Sequence, residues 1–255
     1  MFPRLLIPAV LLLSLAVGAR AEAAKVVGKI AVTDQFRLAL VDEDAKAPTA
    51  VKPGYWNEPN AVRNVEPPFV VPKSDLGIVL IREGATPPKA EPVEVDVRAG
   101  GLDKNVVVVR PGAAVKFRSV DPFDHELYIP GFDDFKPEKQ SRGAFRTIEF
   151  AREGVYEVRC QLMPHFRGWI VVTNATFVLP ADGSGGFSQD GLAVGDYTLR
   201  IFFRGKWVHE QKLKIENERG DFPVEVKLDK ASAPSQAPAA PAKAPTEPAK
   251  KPTGR

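Results

Sequence analysis

The only cysteine of the chain, Cys160, lies in the segment 156–165, YEVRCQLMPH, together with Met163 and His165. A further histidine, His125, lies upstream, after a strand-like run of residues. Thiolate, imidazole and thioether are the donors of a mononuclear copper site. Because the chain has only three histidines and two methionines, the grouping of these side chains directs the functional question to copper.

The start of the chain is typical of a secretory signal peptide. Arg4 precedes an apolar run at 5–17, and small residues at 19–23 offer a cleavage site. The apolar run is shorter than a membrane span, and no later segment is long enough to cross a bilayer. We therefore predict a signal peptide at 1–23, no transmembrane segment after it, and a periplasmic or secreted protein.

The predicted export of the protein bears on the role of its single cysteine, Cys160. Exported proteins usually meet an oxidising compartment, where cysteines tend to pair. A single cysteine cannot form an internal disulfide. Cys160 therefore forms a disulfide with another molecule, has no special role, or has a function as a free thiol. Metal ligation is one reason to keep a thiol in such a place.

The charge balance and the motifs argue against other classes of function. The chain has 35 Lys and Arg against 32 Asp and Glu, which makes no case for binding nucleic acid or an anionic membrane surface. It has no glycine-rich phosphate loop, no nucleophile with a matching base and no HExxH-type zinc motif. We predict that the protein is not an enzyme.

Short runs rich in Val, Ile and aromatic residues, separated by Gly, Pro, Asn and Asp, predict an all-β protein. Such regularly spaced short strands favour β-sandwiches. The predicted strands are 26–32, 76–81, 93–97, 106–109, 114–117, 147–150, 154–159, 169–172, 197–203, 208–215 and 224–228.

Two segments interrupt this pattern. Residues 42–74 are rich in proline and charge and are long for a connection within a domain, which predicts an insertion. Residues 230–255 consist largely of Ala, Pro and Lys. A segment of that composition buries almost nothing, so we predict a disordered tail.

The segment from about 93 to 172 resembles a cupredoxin, and most closely the plastocyanin-like domain of exported proteins often called methylamine-utilisation proteins. The resemblance rests on VVVRPGAAVKF at 107–117, DPFDH at 121–125, FAREGVY at 150–156 and the loop after Cys160. It implies a Greek-key β-sandwich over 91–173, with His125 and Cys160 as copper ligands.

The loop after Cys160 departs from the pattern of that family. Relatives place a second ligand histidine three residues after the cysteine and a methionine six residues after it. Met163 and Phe166 hold those positions here, while His165 follows Cys160 by five residues. His165 is a ligand only by analogy with azurin-like loops, which have the same Cys–His spacing.

Two ligand sets are therefore open. In the first, His125, Cys160 and His165 bind copper, with Met163, a backbone carbonyl or nothing in the axial position. In the second, His125, Cys160 and Met163 bind, and this softer set favours Cu(I). Pro164 would stiffen the loop in either case.

These sets lead to three functional hypotheses. The preferred one is a single copper ion that serves electron transfer, with a redox protein of the cell envelope as partner. Copper delivery or resistance through Met163 and Cys160 is the second. The third is a metal-free envelope scaffold that keeps the cupredoxin fold, with Cys160 as a small buried hydrophobe.

The remainder of the chain resembles a carboxypeptidase-regulatory-like, transthyretin-type sandwich, smaller than the first. The resemblance rests on GGFS at 185–188 and DGLAVGDYTLR at 190–200, with early strands at 28–32 and 76–81. We predict that residues 24–90 and 174–229 form this sandwich and that the cupredoxin-like domain is inserted into it. In the alternative, the two domains stand in tandem and the early strands belong to the cupredoxin.

Overall fold

The computed structural model describes residues 23–46 and 69–232, and within these ranges the side chains of residues 41–46 are not described. The predicted signal peptide, the central part of the predicted insertion and the predicted tail beyond residue 232 lie outside the described residues.

The described residues form sixteen strands and two α-helices, and a 3-10 turn follows the last strand. The helices are α1 (Asp34–Lys46) and α2 (Pro72–Asp75), and the 3-10 turn is Lys230–Ser232. The strands are β1 (Ala24–Val32), β2 (Leu76–Arg82), β3 (Val93–Arg98), β4 (Gly101–Leu102), β5 (Val106–Val109), β6 (Ala113–Ser119), β7 (His125–Tyr128), β8 (Lys139–Gln140), β9 (Phe145–Phe150), β10 (Gly154–Cys160), β11 (Arg167–Val172), β12 (Phe177–Leu179), β13 (Gly186–Leu192), β14 (Gly195–Phe203), β15 (Lys206–Ile215) and β16 (Asp221–Leu228).

One sandwich, here called the outer sandwich, is built from strands at both ends of the described chain. Its sheets have the strand orders β13-β1-β16 and β12-β2-β14-β15. Alternate residues of β1, among them Val26 and Ile30, are buried between the sheets, as expected of a strand with one solvent-exposed face. Helix α1 covers one part of this core, where the ring of Phe36 contacts that of Phe203 edge-on at 5.3 Å.

The second sandwich, the inner sandwich, is built from β3 to β11. Its sheets have the strand orders β5-β11-β10-β7-β8 and β4-β3-β6-β9. Parallel pairs, β3 with β6 and β5 with β11, occur beside antiparallel ones. The alternating residues of β6 and β10 fill its core, which includes Phe117, Phe150, Val158 and Cys160.

The two sandwiches contact each other through an apolar cluster. Trp169 and Val106 of the inner sandwich pack with Phe202 of the outer one. Gly77 of β2 lies so close to β5 that a Cβ there would be 2.7 Å from Val108 Cγ2. Beside this cluster, Asn105 Nδ2 donates a hydrogen bond of 2.6 Å to Asp75 Oδ1.

The predicted fold class, an all-β chain with two β-sandwiches, is confirmed. All eleven predicted strands are present within a few residues of their predicted ends. Helix α1 was not predicted, and with α2 it makes both ends of the predicted insertion at 42–74 helical. In the described ranges, no helix has the length and apolar character needed to cross a membrane.

Candidate metal site

His125 and Cys160 meet because of the register between two neighbouring strands. His125 opens β7 and Cys160 ends β10, and Cys160 pairs with Leu127. Both strands alternate between buried and half-buried residues, so His125 and Cys160 both point into the sandwich. The backbone N–H of Gln161 bonds to the carbonyl of Glu126 and continues the pairing beyond β10.

The two side chains face each other with the atoms that could bind metal. His125 Nδ1 lies 3.9 Å from Cys160 Sγ, and the side chains are 0% and 3% exposed. Metal bonds of about 2.0 Å to imidazole and 2.3 Å to thiolate, the lengths found at zinc sites, would separate the two atoms by about 3.7 Å at a trigonal angle. The observed separation therefore fits one metal ion shared between them.

The other nitrogen of His125 is already engaged. Nε2 lies 3.0 Å from Asp121 Oδ2, and Asp121 is itself buried. An ionised carboxylate only accepts hydrogen bonds, so Nε2 donates to Asp121, and a neutral imidazole would present the lone pair of Nδ1 to Cys160. Ligand histidines at metal sites are commonly held in this way by a carboxylate.

The carboxylate of Asp121 is itself held by the hairpin loop between β3 and β4. Its two oxygens accept the backbone N–H groups of Ala99 at 2.7 Å and Gly100 at 3.0 Å. Burial acts to raise the pKa of Asp121, but the hydrogen bonds from Gly100, Ala99 and His125 outweigh it and hold the pKa below its usual value. The carboxylate is therefore ionised where it holds the imidazole.

The sulfur of Cys160 also receives a backbone donor. The N–H of Glu126 points to Sγ at 3.4 Å. A hydrogen bond from an amide stabilises negative charge on sulfur, and such contacts tune the reduction potential of copper–thiolate sites. Phe123 and Phe166 complete the surroundings, with ring centroids 5.2 and 6.0 Å from the imidazole of His125.

Met163 and His165 meet at a neighbouring point of the structure. A Cβ placed on Gly100 would lie 3.3 Å from Met163 Sδ and 3.4 Å from His165 Nε2. Met163 is half-buried and packs against the core cluster that contains Cys160, whereas His165 is exposed. Phe166, at the position where relatives have methionine, is buried in the same core.

The structure thus pairs His125 with Cys160 and places Met163 and His165 together beside Gly100. Among the described residues, no three side chains drawn from His, Cys, Asp and Glu form a cluster that could hold a metal ion. A thioether is outside that set, and the half-buried Met163 packs against the core cluster that contains Cys160. The third histidine, His209, lies on β15 of the outer sandwich.

Sequence reasoning did not assign a role to Ala99, Gly100 or Asp121. The signal that could have identified the turn is a pair of small residues followed by Gly101, between the apolar Val97 and Leu102. Such a pair between strand residues indicates a tight hairpin. Nothing in the local sequence shows that this hairpin reaches Asp121, because that contact depends on the packing of distant strands.

A comparison with solved structures finds cupredoxins that are similar to part of this chain. No family model and no curated protein matches the chain. Amicyanin from Paracoccus versutus is 19% identical over 37% of this chain and 91% of amicyanin, with a TM-score of 0.30. A purple cupredoxin from Nitrosopumilus maritimus is 19% identical over 32% of this chain and 99% of its own, with a TM-score of 0.29.

A copper-containing nitrite reductase from Thermus scotoductus is 23% identical over 36% of this chain and 25% of the reductase, with a TM-score of 0.30. Amicyanin and the purple cupredoxin are cupredoxins, and part of the reductase matches this chain in the same way. Each match covers about a third of this chain. The resemblance of the outer sandwich to a carboxypeptidase-regulatory-like domain stays a prediction.

Proposed function

We propose that the inner sandwich is a cupredoxin domain that binds one copper ion between His125 and Cys160, for single-electron transfer or copper handling. The observation that carries the proposal is the 3.9 Å separation of Nδ1 and Sγ, with Nε2 held by Asp121. Among the described residues, the contact of Nδ1 is with the sulfur of Cys160, which is a weak hydrogen-bond partner. A metal ion bound between the two atoms would be a stronger partner for both.

The residues around the pair prepare it for a metal. Asp121 accepts the hydrogen bond of His125 Nε2, which orients the ring so that Nδ1 faces Cys160. Cys160 is buried, and the ring of Phe166 lies 6.0 Å from the imidazole of His125, so both donors are shielded from water. Bound copper would supply a one-electron couple, and the rigid strands β7 and β10 would hold both donors in place.

The third donor decides between the two forms of this function. The half-buried position of Met163 against the core supports the softer set His125, Cys160 and Met163, which favours Cu(I) and copper handling. His165 as third donor would give the two-histidine, one-cysteine set of electron-transfer sites. Its exposed position beside Met163 would suit a ligand at the rim of the site.

The sequence at 1–23, predicted to be a signal peptide, bears on the cellular setting of the proposed function. The predicted signal peptide supports a periplasmic or secreted protein, and a redox protein of the cell envelope is the partner that such a site would serve. The charge balance gives no support for a nucleic acid partner. Neither form of the function requires turnover of a substrate.

The experiment is an anaerobic titration of the mature protein with Cu(I) and, separately, with Cu(II), followed by metal analysis and visible absorption. His125→Gln and His209→Gln are matched variants, since each removes one imidazole from a different sandwich. We expect one copper per chain in the wild type and in His209→Gln, and a loss of tight binding in His125→Gln. Absence of stoichiometric binding in the wild type would refute the proposal and favour a metal-free scaffold.

The same titration identifies the third donor. Met163→Leu keeps the volume of the side chain but removes its sulfur, and His165→Gln removes the imidazole. The softer set predicts colourless Cu(I) binding that Met163→Leu weakens and His165→Gln does not. An intense visible band with Cu(II) that is lost in His165→Gln would assign the electron-transfer set instead.

A further inference from the structure

The turn that joins β3 and β4 has a constrained backbone. Val97 pairs with Leu102 and Arg98 with Gly101, so Ala99 and Gly100 form a two-residue hairpin loop. Their φ angles are +53° and +72°, and a hairpin with positive φ at both central residues is a type I′ turn. Alanine is uncommon in this conformation, which costs free energy unless contacts with the surroundings hold it.

One side of this turn holds the first half of the metal site. Both N–H groups of the turn donate to the carboxylate of Asp121, and that carboxylate accepts the hydrogen bond of His125. The contacts offset the cost of the conformation at Ala99. They also link the position of the turn to the orientation of the imidazole.

The other side of the turn faces the second half of the site. The space where a side chain of Gly100 would begin is bounded by Met163 Sδ at 3.3 Å and His165 Nε2 at 3.4 Å. The first separation is slightly shorter than an ordinary van der Waals contact and the second is at its lower limit. A side chain at this position would therefore press on Met163, which would have to shift by a few tenths of an ångström, and would lie in contact with His165. Glycine here leaves room for the thioether and the imidazole at the edge of the buried pair.

We propose that Gly100 is a positioning residue of the metal site, which sets where Met163 and His165 stand relative to His125 and Cys160. Gly100 would not itself touch the metal. It would act by its missing side chain towards the loop after Cys160 and by its N–H group towards Asp121. This inference rests on the proposed copper function.

The test compares two glycine substitutions that have the same effect on the backbone. Gly100→Ala introduces a Cβ at φ +72° against Met163 and His165. Gly131→Ala introduces one at φ +74° in the same sandwich, with nothing within 4 Å. The backbone strain is thus matched, and the two variants differ in the contact with the loop.

The first readout needs no metal. The only internal methionine and the three histidines can be followed by NMR of the apo-protein. We expect Gly100→Ala to shift the methyl resonance of Met163 and the ring resonances of His165, and Gly131→Ala to leave both unchanged. Unchanged resonances in Gly100→Ala would overturn the inference.

The second readout is copper affinity. Residues that support metal ligands typically contribute tenfold to a hundredfold to affinity, so we expect Gly100→Ala to bind copper about tenfold more weakly than Gly131→Ala. Equal affinity of the two variants would overturn the inference while the proposed function stands. If the wild type binds no copper, the proposed function fails, and the NMR comparison alone decides whether Gly100 positions the two side chains.

A further variant covers the case in which Gly100→Ala does not fold. Adding Met163→Ala removes the atom nearest to the new Cβ. Recovery of folding in the double variant would support the contact between Gly100 and the loop. Continued failure to fold would contradict it, because the strain introduced by the added methyl group would then come from a contact other than that with Met163.

Discussion

At the scale of single residues, the site is defined by how one imidazole is held. His125 is fully buried, with a carboxylate at Nε2 and a thiol facing Nδ1. Burying an imidazole and a carboxylate together is costly unless their hydrogen-bonding groups are satisfied. Ala99 and Gly100 donate to Asp121 on its other side. Nδ1 of His125, whose contact is the sulfur of Cys160, is therefore the position of this group that a metal ion could occupy.

Replacement of Asp121 by asparagine should be strongly destabilising. The side-chain amide offers one acceptor where three donors converge, and its NH2 group would face another donor. We expect the free energy of unfolding of the apo-protein to fall by about 1–3 kcal/mol, the typical cost of an unsatisfied buried group. Urea unfolding measures this loss. Asp133→Asn, at a carboxylate that is 95% exposed, is the control and should change stability by less than about 0.5 kcal/mol.

The effect of Asp121 should depend on pH in a definite direction. The folded-state pKa of Asp121 lies below the unfolded value of about 3.9, so its contribution is complete above that value and is lost as the pH falls towards the folded-state pKa. The difference in stability between wild type and Asp121→Asn should therefore shrink as the pH falls below about 4. A difference that grows as the pH falls below about 4 would contradict this account of the carboxylate.

At the scale of elements, strands with one buried face were predictable from alternation alone. Strands such as β6 and β10 alternate plainly, and their predicted positions are confirmed. Strand β7 was not predicted because its inward row begins with the polar His125. Strands β4 and β8 have two residues each, too few to show any period.

Helix α1 was missed for a different reason. In the part of the helix whose side chains are described, only Phe36, Ala39 and Leu40 are buried, so the apolar face is narrow. A short helix with few apolar residues gives a weak periodic signal, and its position is fixed by packing on the outer sandwich. The position of the turn at Ala99 and Gly100 is likewise fixed by packing, because its contact with Asp121 is tertiary.

A glycine in β1 provides a test of how the outer sandwich packs. Gly28 pairs with Phe187 across β1 and β13, and a Cβ on Gly28 would lie 2.0 Å from Phe187 Cζ. The ring therefore lies over the glycine backbone. We expect Gly28→Ala to lower the free energy of unfolding by about 1–3 kcal/mol, as overpacking typically does.

A double variant separates this contact from a general effect of alanine. In Gly28→Ala with Phe187→Leu, the smaller side chain leaves space for the new methyl group, so the two losses of stability should not add. Thermal or urea unfolding of the four proteins measures the coupling. Additive losses would show that the ring of Phe187 does not constrain this position.

At the scale of the whole molecule, the order of strands bears on how the two sandwiches are arranged along the chain. Strands β1 and β2 pair with β13, β14 and β16, which follow the inner sandwich in the chain. The two connections to the inner sandwich leave from adjacent points, since Arg82 N donates to Thr176 Oγ1 at 2.9 Å. We propose that the inner sandwich, 91–173, is inserted into an outer sandwich formed by 24–90 and 174–229.

Removal of the inner sandwich tests this arrangement. A protein in which residues 85–175 are replaced by a short Gly-Ser turn keeps β2 and β12 paired and should retain the outer sandwich. We expect a cooperative unfolding transition and a β-rich circular dichroism spectrum. Phe202 packs against the inner sandwich and would become exposed in the shortened protein. It would therefore be changed to a polar residue there to limit aggregation.

The matched control truncates the chain instead. A protein that begins at residue 91 keeps the inner sandwich but lacks β1 and β2. Its C-terminal strands should not form a stable sandwich, because β14 loses its neighbour β2 and β16 loses β1. A folded C-terminal sandwich in this truncation would favour the tandem arrangement.

The central claim, that copper binds between His125 and Cys160, is tested most directly by copper K-edge X-ray absorption. The mature protein would be loaded with one equivalent of copper and compared with Cys160→Ser. We predict a copper–sulfur distance of about 2.3 Å, close to thiolate bonds at other metals, together with imidazole scattering in the wild type. In the variant we predict weaker sulfur scattering at this distance, because the thiolate is removed. A wild-type spectrum without a short sulfur distance, or one that Cys160→Ser leaves unchanged, would contradict the account.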